Sequence, residues 1–210
     1  MQTTAESILR FGTRTAFGKE TEPPQKAVEA LARLMEGNEA YRQERRGVEP
    51  FAPVRERTAR EGQHPFATVL TCSDSRVPPE HVFSAGLGAL FAVRTAGNTV
   101  DTFGLGSIEY AASHLHTPLL VVMGHTCCGA VGGALSGAEE PGSLSLLLAE
   151  VRRSIGMEDD PRKAERSNVI GGAKRLGESD TLRGLCEAGR IGVALAIYDI
   201  ETGEVRWMER

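Results

Sequence analysis

Two stretches of this chain carry residue types that can do chemistry together: Cys72-Ser73-Asp74-Ser75-Arg76 and Gly124-His125-Thr126-Cys127-Cys128-Gly129. Cys72, His125 and Cys128 supply two thiolates and one imidazole. Catalytic zinc sites use three protein ligands of this kind and leave a fourth position for water, whereas structural sites close with four. The same donors suit zinc better than magnesium or calcium. Asp74 and Arg76 stand beside the first ligand, two residues apart. On a turn the guanidinium can hold the carboxylate ionised and oriented, so that Asp74 accepts a hydrogen bond from a metal-activated water. A lone cysteine is ordinarily a buried core residue; it is the joint placement with Asp-x-Arg that argues for a site. Cys127 on this turn points away from Cys128, and Cys186 lies in an apolar helical pattern and reads as core.

The flanking sequence explains how residues 53 positions apart can meet. Residues 66–71 form a short apolar run that ends at Cys72, and 118–123 form another that ends at Gly124-His125. Both read as strands with ligands at their C-terminal ends, the edge of an open α/β sheet where sites form. Residues 89–94 read as a further strand ending in the turn Ala96-Gly97-Asn98, and 192–200 as a fourth, followed by a turn at Thr202-Gly203 and a return strand over 204–208. Helical spacing is expected over 26–46 (with Gly47 as its stop), 104–116, 127–135, 144–155, 167–176 and 181–188. Residues 156–165 read as a charged loop. Near-continuous apolar strands imply helices on both sheet faces, and intervening helices allow right-handed crossovers. The expected fold is therefore α/β: a mainly parallel central sheet of about four strands plus an antiparallel edge strand, flanked by helices, with an N-terminal helical arm. Residues 1–22 show weak periodicity, with a turn of helix near 7–11, and read as an arm or a disordered segment. Residues 23–210 read as a single α/β domain. The amphipathic helix at 26–46 lies either on its own domain or on a partner subunit.

The net charge of −4 gives no electrostatic reason to expect nucleic acid or an anionic membrane as partner. No apolar run approaches the ~20 residues of a membrane span, and the N-terminus lacks the apolar block of a secretory signal. Adjacent Cys127 and Cys128 in a chain this long do not resemble a disulfide scaffold. A reducing, cytoplasmic compartment is expected.

At this point the sequence resembles the β-class carbonic anhydrases. Cys72-Ser73-Asp74-Ser75-Arg76 and Gly124-His125-x-x-Cys128-Gly129 are similar to that family's two signature motifs, in order and separation. Leu34-Met35-x-Gly37-Asn38, Gln63, Phe91-x-x-Arg94-x-Ala96-Gly97-Asn98, Ser107-Ile108-Glu109-Tyr110 and Tyr198-Asp199-x-x-Thr202-Gly203-x-Val205 extend the likeness over roughly residues 25–208. The resemblance implies one Zn2+ per chain on Cys72, His125 and Cys128, with Asp74 and Arg76 as the catalytic dyad. It implies Gln63, Phe91 and Tyr110 in the substrate pocket and His114, one helical turn after Tyr110, in proton transfer. His64, His81 and His116 have no such counterpart and read as surface or structural. Two positions depart from the family: Thr95 stands where Asn is frequent, and Val69 where bicarbonate-regulated members carry Trp.

The implied activity is zinc-dependent reversible hydration of CO2 to bicarbonate and a proton by a zinc-bound hydroxide, with activity rising into mildly alkaline pH. If the Asp74–Arg76 pair breaks, Asp74 is placed to become a fourth ligand at lower pH. The implied assembly is a homodimer or homotetramer, with the helix at 26–46 crossing to a partner. Two other readings use the same residues. One is a CS2 or COS hydrolase, because fold does not decide substrate. The other is a non-catalytic zinc or redox sensor built on Cys72, Cys127 and Cys128, for which Asp74, Arg76 and Gln63 would be unneeded.

Overall fold

The computed structural model describes residues 4–19, 21–45, 51–137 and 139–209. In chain order the elements are α1 (Ala5–Phe17), α2 (Gln25–Arg42), α3 (Phe51–Glu61), β1 (Ala67–Cys72), α4 (Pro79–Val82), β2 (Leu90–Thr95), a 3-10 turn (Ala96–Asn98), α5 (Thr102–Ser113), β3 (Leu119–His125), α6 (Gly129–Leu135), α7 (Gly142–Ile155), α8 (Pro161–Leu176), α9 (Asp180–Glu187), β4 (Gly192–Tyr198) and β5 (Val205–Trp207). The strands form one sheet in the order β2-β1-β3-β4-β5. The first four are parallel, and β5 returns antiparallel on the β4 edge.

Every residue of β1 and β3 is buried, as strands covered on both faces must be. Alternation along the strands divides the core in two. Val69, Val121, Met123, Ala194 and Ala196 face Ile8, Leu9, Leu31 and Leu34 of α1 and α2. Leu70, Leu120, Val122, Val193 and Leu195 face Ile108, Val169, Leu176 and Leu182 of α5, α8 and α9. The central strands are adjacent, β1 beside β3, so their C-terminal residues Cys72 and His125 finish at the same edge.

The N-terminal segment differs from the expectation of an arm or disordered segment. Residues 5–17 make more than three turns of helix, with Ile8 and Leu9 fully buried. Thr4 caps α1 through a reciprocal pair with Ser7, and Gly18, at φ 71°, ends it. The face that docks is Ile8, Leu9, Gly12, Thr13 and Ala16. Three of those five are small or polar, which is why the apolar periodicity is weak. Gly12 lies against the β4 backbone: a Cβ there would stand 2.2 Å from the Val193 carbonyl oxygen, and Thr13 Oγ1 accepts the Val193 N–H at 3.3 Å. Gly→Ala inside a helix normally gains about 1 kcal/mol. Here Gly12→Ala is expected to cost ~1–3 kcal/mol through overpacking, read as a lowered Tm in a thermal melt; an unchanged or raised Tm would remove the docked α1.

Three further differences follow from local chemistry. The expected loop at 156–165 becomes helix from Pro161, because Asp160 caps Lys163 N–H and proline occupies the first turn. Helix α3 was not anticipated; its interior is charged and among its residues only Val54 is buried. Helix α2 packs its apolar face on its own sheet: Leu31 and Leu34 are fully buried. Asn38 Nδ2 donates to the carbonyls of Val82 and Gly203, while Asn38 Oδ1 accepts Val205 N–H. The anticipated stop at Gly47 lies outside the described residues.

Candidate metal centre

Cys72 is the last residue of β1, His125 the last of β3, and Cys128 the residue that opens α6. Their ligand atoms all lie within 4.8 Å of one another, and among the described residues this is the one Cys/His/Asp/Glu cluster so arranged. Cys127 makes the turn possible by taking φ +56°, which leaves its own side chain exposed and away from the cluster. A non-glycine residue at positive φ costs of order 1 kcal/mol and persists where its surroundings demand it. Cys186 is buried in α9, as its pattern implied.

The donor set asks for a cation. His125 Nδ1 pairs with the Thr126 carbonyl at 2.9 Å, which fixes Nδ1 as the protonated nitrogen. Nε2 is buried and without a hydrogen-bond partner, although such atoms are nearly always satisfied. It faces two sulfurs. Hydrogen bonding from Cys128, with the Asp74 and Gly97 N–H groups, lowers the Cys72 thiol against the opposition of burial. The Cys72 thiolate and burial together push Cys128 up, while the Ala130 and Val131 N–H groups favour its thiolate. Two sulfurs that share one proton and a bare imidazole nitrogen form a site from which a soft dication displaces that proton.

Asp74 stands beside this set. Arg76 grips it bidentately, Nε to Oδ1 at 3.0 Å and Nη2 to Oδ2 at 2.7 Å, and the Arg76 backbone N–H adds a third bond to Oδ1 at 2.9 Å. The Arg76 guanidinium holds the carboxyl well below the usual carboxylate range, so Asp74 is an acceptor only at neutral pH. Oδ2 lies 3.9 Å from His125 Nε2. The loop that carries the dyad is braced by Arg94, which donates to the carbonyls of Cys72 at 3.1 Å and Asp74 at 2.7 Å. On the other side Glu165 Oε1 accepts the Cys128 N–H at 3.2 Å; burial pushes its carboxyl up. Sequence reasoning missed Glu165 and Asn168 as parts of the site. Their signal was two polar residues in the otherwise apolar stripe of Ala164, Val169, Gly172, Ala173 and Leu176.

A sequence model of the carbonic anhydrase family matches residues 67–205, well over half of the chain. The chain belongs to the β-class carbonic anhydrase family. Carbonic anhydrase 2 of Mycobacterium tuberculosis is 46% identical over 115 residues, 54% of this chain and 55% of that protein. The chain thus spans about half the length of that relative. A β-carbonic anhydrase of Sordaria macrospora, from a pair described as tetrameric, superposes with a TM-score of 0.65 at 26% identity, over 86% of this chain and 97% of that one. The β-carbonic anhydrase CafA of Aspergillus fumigatus gives 0.65 at 28% identity, over 86% and 89%. Zinc is the metal of this family, and Cys72, His125 and Cys128 are able to hold it.

The expected pocket residues are not brought to the metal centre of their own chain. Phe91 is paired with Thr68, four residues before Cys72, or about 13 Å along the strand at ~3.3 Å per residue. The Tyr110 ring is tilted against Phe91 with centroids 6.3 Å apart, and the His114 ring lies 5.3 Å from that of Tyr110. Gln63 precedes β1, at the edge opposite Cys72, and is exposed. These four residues therefore border the N-terminal edge of the sheet, whereas the ligands border the C-terminal edge. Gln63 and Cys72 are nine residues apart, and the intervening strand makes that separation nearly linear. A cavity of about 470 Å³ lies at the same N-terminal edge, lined by Arg33, Thr58, His64, Phe66, Leu87 and Ala89 among others.

Proposed function

We propose that the chain catalyses the reversible hydration of CO2 to bicarbonate and a proton. The observation that carries this reading is the buried, unpartnered His125 Nε2 facing two thiols beside an ionised Asp74. When zinc is bound there, it lowers the pKa of a water to ~7 and so makes a strong nucleophile available at neutral pH. Asp74 Oδ2 accepts a hydrogen bond from the attacking oxygen and turns a lone pair of that oxygen towards the carbon of CO2. Asp74 does this without taking the proton, because Arg76 keeps its carboxyl ionised. Arg76 in turn fixes the direction in which Oδ2 points, through a two-bond fork that a lysine would not reproduce.

Gln63, Phe91, Tyr110 and His114 serve the metal site of a second copy of the chain in this reading. Gln63, Tyr110 and His114 are exposed at the N-terminal edge of the sheet, and the Sordaria macrospora relatives are described as tetrameric. Gln63 then donates to the substrate oxygen on which charge develops, and Tyr110 with His114 carries the released proton outward. The assembly is a homodimer or a homotetramer. Four free thiols support action in the reducing cytoplasm; no described helix is long and apolar enough to cross a membrane.

The test is stopped-flow CO2 hydration with a pH indicator from pH 6.5 to 9, on protein of measured zinc content. Rapid hydration at one zinc per chain, rising into alkaline pH, is the expected result. Zinc at that stoichiometry without hydration at any pH would overturn the activity, and hydrolysis of CS2 or COS by the same sample would reassign it.

A further inference from the structure

Helix α8 reaches both cysteine ligands from behind the site. Glu165 is 6% exposed and Asn168 3%. Their three-residue spacing places them on one helix face. Glu165 Oε1 accepts the N–H of Cys128 at 3.2 Å. Asn168 Nδ2 donates to the carbonyl of Gly97 at 2.7 Å, and Gly97 N–H donates to Cys72 Sγ at 3.2 Å. Gly97 is itself confined: it takes φ +64°, and a Cβ there would come within 3.0 Å of the Ala130 Cβ and 3.2 Å of a Val151 methyl. Polar groups buried in a core-facing stripe cost free energy unless hydrogen-bonded. Here each of the two ends on a peptide that directs a metal ligand.

We infer that Glu165 and Asn168 are positioning residues of the metal site. Glu165 holds the Cys127–Cys128 turn so that the Cys128 sulfur faces Cys72 and His125. Asn168 holds Gly97 by its carbonyl so that the Gly97 N–H, on the preceding peptide, stays on the Cys72 sulfur. Neither touches the reacting atoms. Without Glu165 the buried Cys128 N–H loses its acceptor, and the positive φ at Cys127 is free to relax. Without Asn168 the Gly97 carbonyl loses its donor and the N–H on the other side of that residue loses its alignment. The inference rests on the reading of Cys72, His125 and Cys128 as a zinc site.

The experiment uses the full chain as wild type, Glu165→Ala, Glu165→Gln, Asn168→Ala and Leu176→Ala. Zinc affinity is measured by competition with a chromophoric chelator, Co2+ substitution is followed by absorption, and folding by circular dichroism. Glu165→Ala and Asn168→Ala should each bind zinc ~10–100-fold more weakly, the usual effect of removing an outer partner of a ligand. Glu165→Gln keeps an acceptor oxygen and should stay near wild type. Asn168→Ala should also shift the thiolate-to-cobalt charge-transfer band, because Cys72 Sγ loses an aligned donor; it carries the test if Glu165→Ala does not fold. Leu176→Ala, on the same helix but fully in the core, should lower Tm and leave zinc affinity and the cobalt spectrum alone. Wild-type affinity and spectrum in both alanine variants would overturn the inference. Equal zinc loss in Leu176→Ala would also overturn it, by tracing the effect to α8 packing. A wild type that takes up no zinc would be a different failure, that of the zinc reading itself.

Discussion

Asp74→Ala loses CO2 hydration by ~10²-fold or more while keeping its zinc, the scale expected when the group that orients the attacking oxygen is removed. Retention of zinc follows from the geometry: the three ligand atoms converge without Asp74, whose Oδ2 lies 3.9 Å from His125 Nε2. Retention of the fold follows from exposure. Arg76 is about half exposed in this pair, and pairs of that kind contribute only ~0–1 kcal/mol. Activity should therefore fall with little change in Tm or metal content. Asp74→Asn sharpens the result. The amide matches the carboxylate in shape, but only one of its two heavy atoms accepts, and the other donates towards Arg76. Its hydration rate should also fall well below wild type. Stopped-flow rates on zinc-quantified samples are the measurement. If Asp74→Ala hydrates CO2 within a few-fold of wild type, Asp74 does not orient the attacking oxygen.

The candidate ligands of this site are legible in the sequence because each sits where two local signals coincide. Cys72 and His125 close apolar runs long enough for a strand and too short for a helix, and the turn residues after them stop the run. The dyad was legible for the same reason, since Asp74 and Arg76 share one turn and need no tertiary partner to meet. What escaped depends on contacts between distant segments. Helix α1 docks through Gly12 and Thr13, which carry almost no hydrophobic signal; the fit exists only against the β4 backbone. Glu165 looked like part of a charged loop because charge near Asp159-Asp160-Pro161 reads as solvated. Its role needs Cys128, 37 residues earlier. The proposed pocket residues rest on likeness alone, and likeness carries no information about which copy of the chain they would serve.

That last point leads to the second large effect. A Cys72→Ser chain lacks a metal ligand, and a Gln63→Ala/Tyr110→Ala chain keeps its ligands but lacks the pocket groups. Each should be inactive or nearly so alone; loss of hydrogen-bond donors at developing charge costs ~10²–10³-fold. Mixed together they should recover. A two-fold dimer is reciprocal, so each copy gives its partner what it receives. In a dimer of one chain of each kind, one site pairs the Cys72→Ser metal half with the Gln63→Ala/Tyr110→Ala pocket half and is doubly damaged. The other pairs an intact Cys72, His125 and Cys128 with an intact Gln63 and Tyr110. Random equimolar mixing makes half the dimers mixed, each with one sound site of two, so activity should return to about one quarter of wild type in the mixture and about one half in the purified mixed species. Co-expression of differently tagged chains, tandem purification of the mixed species and stopped-flow hydration measure it. If pocket and metal belonged to one chain, neither site in the mixed dimer would be whole, and the purified species would stay as inactive as its parents. The first outcome is the expected one because Phe91 lies about 13 Å of strand from the level of Cys72, farther than its own side chain reaches.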